Sequence, residues 1–235
     1  MNIIKEVRKE LKKHYDREYQ EGAHKFFKEE VKILGVRAKV VRKISADFYR
    51  REINQLEKKD IFTLVEEFLK TEFLEEATLG LDWVYRTKKR FEKSDFKLFE
   101  SWLKKYVHNW ATCDDICTHP FGYLLTQHPG LFSKVKVWGK SKNMWLRRAS
   151  AVILIHPIKK KKMLKEVFVI AEILLEDKED LVQKGYGWML KGASNKFPDE
   201  VFDFVMKHKA KMPRTALRYA IEKYPQEARK KAMAR

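Results

Sequence analysis

The stretch VHNWATCDDICTHPFG, residues 107–122, gathers side chains that do chemistry: His108, Trp110, Cys113, Asp114, Asp115, Cys117 and His119. One reading is a metal-dependent hydrolase. Cys113 and Cys117 stand four apart and would share a helix face, with His108 and His119 close by. A zinc site, however, needs a complete, closed ligand set, and the spacing is neither CxxC nor a matched HxxxH pair. Two buried structural thiols account for the cysteines more simply. The other reading concerns the carboxylates. Thr112 followed by Asp115 resembles a capping box, which gives Asp115 a duty at a helix start and leaves Asp114 without one. If the helix begins one turn earlier, Trp110 and Asp114 lie side by side at i and i+4. A carboxylate beside an indole face suits a cationic, partly apolar species, such as a sugar developing oxocarbenium character.

Two further positions break the pattern of an apolar core. In NMWLRRASAVILI, Met144, Trp145, Ala149, Val152 and Ile153 form an apolar stripe, and Arg148 falls on it. An arginine there must be paired or must face an anion-binding cleft, because an unpaired buried charge is very costly. In GYGWMLKG, Trp188 sits between Lys184 and Lys191 at helical spacing, on the border between core and basic face. Such an indole stacks on a base, packs on a deoxyribose, or merely edges the core.

The elements that must position these residues read as helices. Leu98, Phe99, Trp102, Leu103, Tyr106 and Val107 recur at three- and four-residue spacing, with Ser94 as the expected N-cap. Pro198-Asp199-Glu200 opens a helix with Val201, Phe202, Val205 and Met206 on its apolar side. Pro213 opens what reads as a last helix through Leu217, Tyr219, Ala220 and Ile221. No strand alternation persists and no hairpin dipeptide appears. The expectation is about a dozen segments of about 10 to 18 residues on short connections, a single all-α domain over residues 1–235. Paired helices of this kind suggest an α-solenoid, with an irregular helical globule as the alternative.

Lysine and arginine number 51 against 33 acids, a net charge of +18 across 235 residues. That excess favours a polyanion, either nucleic acid or a membrane surface. The apolar content rules out a disordered basic tail. The longest apolar run, VFVIAEILL, is broken by Glu172 and too short to span a bilayer. The start, MNIIKEVRKELKKHY, has no apolar run of signal length, and two cysteines suggest a reducing cytoplasm. Basic clusters fall at Lys88-Lys89-Arg90, at the four lysines of 159–162, and across 207–214. With aromatics between them they favour a nucleic-acid surface.

Taken together, NWATCDDI, NMWLRRA and GYGWMLK, preceded by HKFFKEEVKILGVR, resemble the AlkD-type bacterial alkylpurine DNA glycosylases over almost the whole chain and in the same order. The resemblance implies an α-solenoid of HEAT-like helix pairs with a concave basic surface for double-stranded DNA. It implies hydrolysis of the N-glycosidic bond of cationic N3- or N7-alkylated purines, leaving an abasic site, with no metal or other cofactor. Asp114 matches the catalytic aspartate, Trp110 and Trp188 the cleft indoles, and Arg148 the arginine of the motif. Phe26 stands where a tyrosine is usual, which removes a hydroxyl. A monomer without an obligate protein partner, off the membrane and associated with the nucleoid in the cytoplasm, completes the expectation. The alternative within the same fold is a non-catalytic protein that binds damaged or distorted duplex.

Overall fold

A computed structural model describes residues 3–234. Among them the secondary structure is helical, at 72%; the one β-type pairing is an isolated bridge between Lys32 and Phe73. Backbone contacts divide the chain into two compact units, Met1–Pro120 and Phe121–Arg235.

The first unit holds α1 (Ile3–Lys12), α2 (Arg17–His24), α3 (Ala38–Phe48), α4 (Lys58–Leu69), α5 (Leu74–Arg86), α6 (Asp95–Tyr106) and α7 (Trp110–Ile116). The second holds α8 (Gly122–Gln127), α9 (Phe132–Trp138), α10 (Met144–Val152), α11 (Ile155–Lys159), α12 (Leu164–Ile173), α13 (Asp180–Ser194), α14 (Pro198–His208), α15 (Arg214–Ala220) and α16 (Gln226–Met233). Many of these are shorter than periodicity predicts, because wide or tight turns interrupt the apolar runs; α3 passes into a π-helical turn over Tyr49–Ile53 and α7 into one over Cys117–Phe121, the latter carrying Pro120.

In the first unit α5 is the packing centre, with α3 and α4 against it. Its Trp83 is fully buried, and its indole N–H donates to Ser45 O at 3.1 Å, so burial leaves that donor satisfied. Glu75, on the first turn of α5, is 4% exposed, yet its carboxylate accepts from Leu34 N, Gly35 N and Val36 N at 2.8, 2.9 and 3.0 Å. Those bonds satisfy three amides of a turn whose Gly35 has φ +86°, and so fix the chain between α2 and α3.

In the second unit α13 is the centre, touching α10, α11, α12, α14 and α15. Gly187 lets α15 approach: a Cβ there would meet Tyr219 Cβ at 2.7 Å and Ala216 O at 2.8 Å. Tyr186 is fully buried beside it, donating its hydroxyl to Leu175 O at 3.0 Å; burial pushes that hydroxyl far above the usual tyrosine range.

Helix starts sort the expectations. Pro198 does occupy the first turn of α14. Ser94 precedes α6 but its hydroxyl caps nothing there; Asp95 instead accepts from Glu92 N at 2.8 Å, closing the turn ahead of the helix. Pro213 opens α15, but α16 follows, so that helix is not the last; the polar segment QEARKK of α16 buries only Ala232, too little to register as an apolar face.

Candidate functional site

In the first unit, α7 begins at Trp110, one turn before the capping box would have started it. Asn109 is the N-cap: its backbone is extended (φ −148°, ψ 160°) and its side chain accepts from Thr112 N at 2.8 Å. Thr112 is therefore buried inside the helix rather than capping it. The earlier start places Trp110 and Asp114 one turn apart on one helix face, both half-buried.

The two neighbouring aspartates have different lives. Asp115 is drawn into the fold: its Oδ1 accepts from Arg42 Nη2 at 3.1 Å and lies 2.8 Å from His119 Nδ1, with its side chain 11% exposed. Arg42 in turn reaches Asp82 at 3.9 Å, and Asp82 binds Arg86 at 2.7 Å. The Asp114 side chain keeps partial access to solvent, while its carbonyl takes the Thr118 hydroxyl at 2.7 Å.

Trp110 is held from two sides. Its indole N–H donates to Phe26 O at 3.3 Å, and Phe27 stacks on it with centroids 5.2 Å apart and planes 18° from parallel. Phe26 thus meets Trp110 through its backbone, and its own ring is 77% exposed. These rings, with Tyr19, Gly22 and Leu74, line an open cleft of about 380 Å³ whose edge carries Glu18 and Arg37. The Arg37 guanidinium lies 5.0 Å from the Tyr19 ring centre and donates to Asp16 Oδ2 at 2.9 Å. The Tyr19 amide, and then Arg37, hold the Asp16 carboxyl below its ordinary range.

The residues of the metal reading are not gathered. Cys113 and Cys117 are fully buried and not disulfide-linked, His108 lies exposed against Lys105 O at 3.0 Å, and His119 serves Asp115. No group of three His, Cys, Asp or Glu side chains suited to a metal ion occurs among the described residues.

In the second unit, α10 and α13 bring Arg148 and Trp188 into one packed layer. Arg148 is 5% exposed and its Nη1 donates to Leu181 O in the first turn of α13. Gly185 makes room for it: a Cβ there would lie 3.2 Å from Arg148 Cγ and 3.5 Å from Nη1. Arg147, its neighbour, is a separate clamp, donating to Asp177 at 2.6 Å and to Ser141 O at 2.9 Å. Trp188 is half-buried, as its border position predicts. The flanking lysines are not bare cations, however. Lys184 pairs with Asp180 one turn earlier on α13 at 2.7 Å, a partner helical spacing already offers, and Lys191 with Glu222 at 2.9 Å, an acid that spacing does not reveal.

Phe27, Gly185, Gly187 and Asn109 escape a reading by residue type. Their signals are faint but physical: Asn is among the best N-caps, and paired glycines inside a helical pattern imply close approach rather than a turn.

Each unit thus carries its own set: an indole and a carboxylate one turn apart on α7 in the first, a buried arginine and a half-buried indole on α10 and α13 in the second. The chain belongs to the DNA alkylation repair enzyme family, whose model matches residues 7–224. A role in the repair of alkylated DNA follows from that membership. Among solved structures, a predicted DNA alkylation repair enzyme from Enterococcus faecalis has the same fold, with a TM-score of 0.79 over 91% of this chain and 98% of that one, at 17% identity. No curated protein matches the sequence. No helix among the described residues is long and apolar enough to cross a membrane.

Proposed function

We propose that this chain is a monofunctional DNA glycosylase that releases cationic N3- or N7-alkylated purines from duplex DNA and leaves an abasic site. The observation that carries the reading is the placement of Asp114 on α7, half-buried and one turn from Trp110 on the same helix face.

An alkylated purine already bears positive charge, so it leaves without strong protonation. The C1′–N bond breaks, its electron pair goes to the base and neutralises it, and positive charge grows on the deoxyribose. Asp114 stabilises that charge and orients the water whose oxygen bonds to C1′, the water proton passing to solvent or to the carboxylate. The face of Trp110, fixed by Phe27 and the Phe26 carbonyl, offers an electron-rich wall to the cation. Trp188 packs on the sugar-phosphate backbone, and Arg148 supplies a fixed positive charge toward phosphate. No lysine is assigned as a Schiff-base nucleophile, so strand cleavage is not part of the reaction. The chain acts as one domain of HEAT-like helix pairs, as a monomer, without metal or cofactor.

The test is release of free 7-methylguanine from a modified duplex under single-turnover conditions. The expected rate for Asp114→Asn is about 100-fold or more below wild type, the range for losing one transition-state electrostatic partner. Activity retained in that variant removes the mechanism. Phe26 favours one second reading, a non-catalytic binder of damaged duplex, because the ring lacks a hydroxyl where it stands exposed. That reading predicts salt-dependent duplex binding with no base release.

A further inference from the structure

In two of the three basic clusters some of the cations find partners inside the protein. Lys88 sits 4.2 Å from the Tyr85 ring centre and Arg90 donates to Leu56 O at 2.8 Å. Lys209 donates to Lys231 O and Ala234 O at 3.1 and 2.9 Å, and Arg214 to Met233 O at 3.0 Å, closing the end of α16. The cluster of Lys159, Lys160, Lys161 and Lys162 differs. All four are exposed, and none has an ion pair or side-chain hydrogen bond among the described residues.

Their backbone is nevertheless well defined. Pro157 O accepts from Lys160 N and Lys162 N at 2.9 and 3.1 Å, and Ile158 O accepts from Lys161 N at 2.9 Å. This turn puts Lys161 at φ 57° and Met163 at φ 66°, the left-handed region where glycine or asparagine is the easy choice. Four like charges are thus crowded onto a strained turn that yields them no internal partner. Such a combination weakens the fold and is understandable when the partner is an external polyanion.

The turn is also anchored next to the site. Pro157 and Ile158 are buried, and Ile158 Cγ2 lies 3.9 Å from where a side chain on Gly192 would begin. Gly192 follows Trp188 by one turn on the same side of α13, about 6 Å along its axis.

We infer that the four-lysine turn after α11 grips backbone phosphates of the DNA duplex on the flank of the lesion. The inference deepens the proposed function and rests on Trp188 lying against the same duplex. With Gly192 about 6 Å from Trp188 and a rise of about 3.4 Å per base step, the gripped phosphates fall within roughly four steps of the backbone on which Trp188 packs.

The experiment measures binding rather than base release, so it stands even if Asp114 proves non-catalytic. A duplex carrying one 7-methylguanine and its undamaged counterpart are titrated by fluorescence anisotropy across salt. The variant K159Q/K160Q/K161Q/K162Q is compared with wild type and with K59Q/K93Q/K97Q/K105Q, which removes equal charge from exposed lysines elsewhere. Each phosphate contact contributes about 0.9 to the slope of log K against log salt. The turn variant is expected to lower that slope by about 2 to 4 on both duplexes, and the control set by less than about 1. Neutral methylphosphonate linkages on the flank of the lesion are expected to weaken wild type but not the turn variant. Lys161→Gly guards against misfolding: it relieves the positive φ, so it is expected to raise the melting temperature while lowering the slope by about 1. An unchanged slope in the turn variant or in Lys161→Gly, or an equal fall in the control set, overturns the inference. Loss of binding to anionic phospholipid vesicles with DNA binding intact overturns it in favour of a membrane partner.

Discussion

Gly187→Ala is the sharpest mechanical test of how α13 carries Trp188. A methyl group there would begin 2.7 Å from Tyr219 Cβ and 2.8 Å from Ala216 O, where ordinary contacts start near 3.4 Å. Both obstacles are set by the backbone of α15, so neither can rotate away. The helices must separate by several tenths of an ångström, or Trp188 must shift with its turn. Overpacking of this severity costs about 3 kcal/mol, and alanine returns about 1 kcal/mol of helix propensity, leaving a net loss of about 2 kcal/mol. For a chain of this size that lowers the melting midpoint by about 4 to 8 °C. Gly22→Ala supplies the opposite sign: it lies inside α2 with nothing within 4 Å of the added carbon, and is expected to gain up to about 1 kcal/mol. Scanning calorimetry on both variants decides the matter, with 7-methylguanine release as a second readout of the displaced indole. A Gly187→Ala midpoint at or above wild type refutes the reasoning, since the close approach would then carry no load.

Two further outcomes follow from single side chains. Glu75→Gln removes the charge that three amides share and turns an N–H donor toward one of them, at a cost of about 2 kcal/mol; hydrogen exchange at Leu34, Gly35 and Val36 should quicken before the rest of the unit. Burial pushes the Tyr224 hydroxyl up to about 12 while it donates to Pro198 O at 2.6 Å. The folded state therefore holds that proton more tightly than the unfolded chain, which ionises near pH 10. The contribution to stability is intact below about pH 10 and is lost as pH rises toward 12. Urea midpoints of wild type should fall more steeply than those of Tyr224→Phe across that window, and parallel curves would contradict the assignment.

What the sequence settled by itself is local. Helical periodicity, the proline at the start of α14, and the side-by-side placement of Trp110 and Asp114 all depend on backbone geometry within one or two turns, which neighbouring residues dictate. The resemblance in motif order reached the family as well. Tertiary structure alone decided between near-identical neighbours. Asp115 enters an ion pair because Arg42, 73 residues away, meets it. Of two adjacent arginines, Arg147 finds Asp177, while Arg148 lies over the gap at Gly185. Trp110 is fixed by Phe26 and Phe27, which no spacing rule links to it. Lys191 loses its claim as an open cation to Glu222, 31 residues away. The physical reason is range: hydrogen bonds within a helix are written every few residues, whereas a charge or ring takes its role from whatever packing brings within a few ångströms of it.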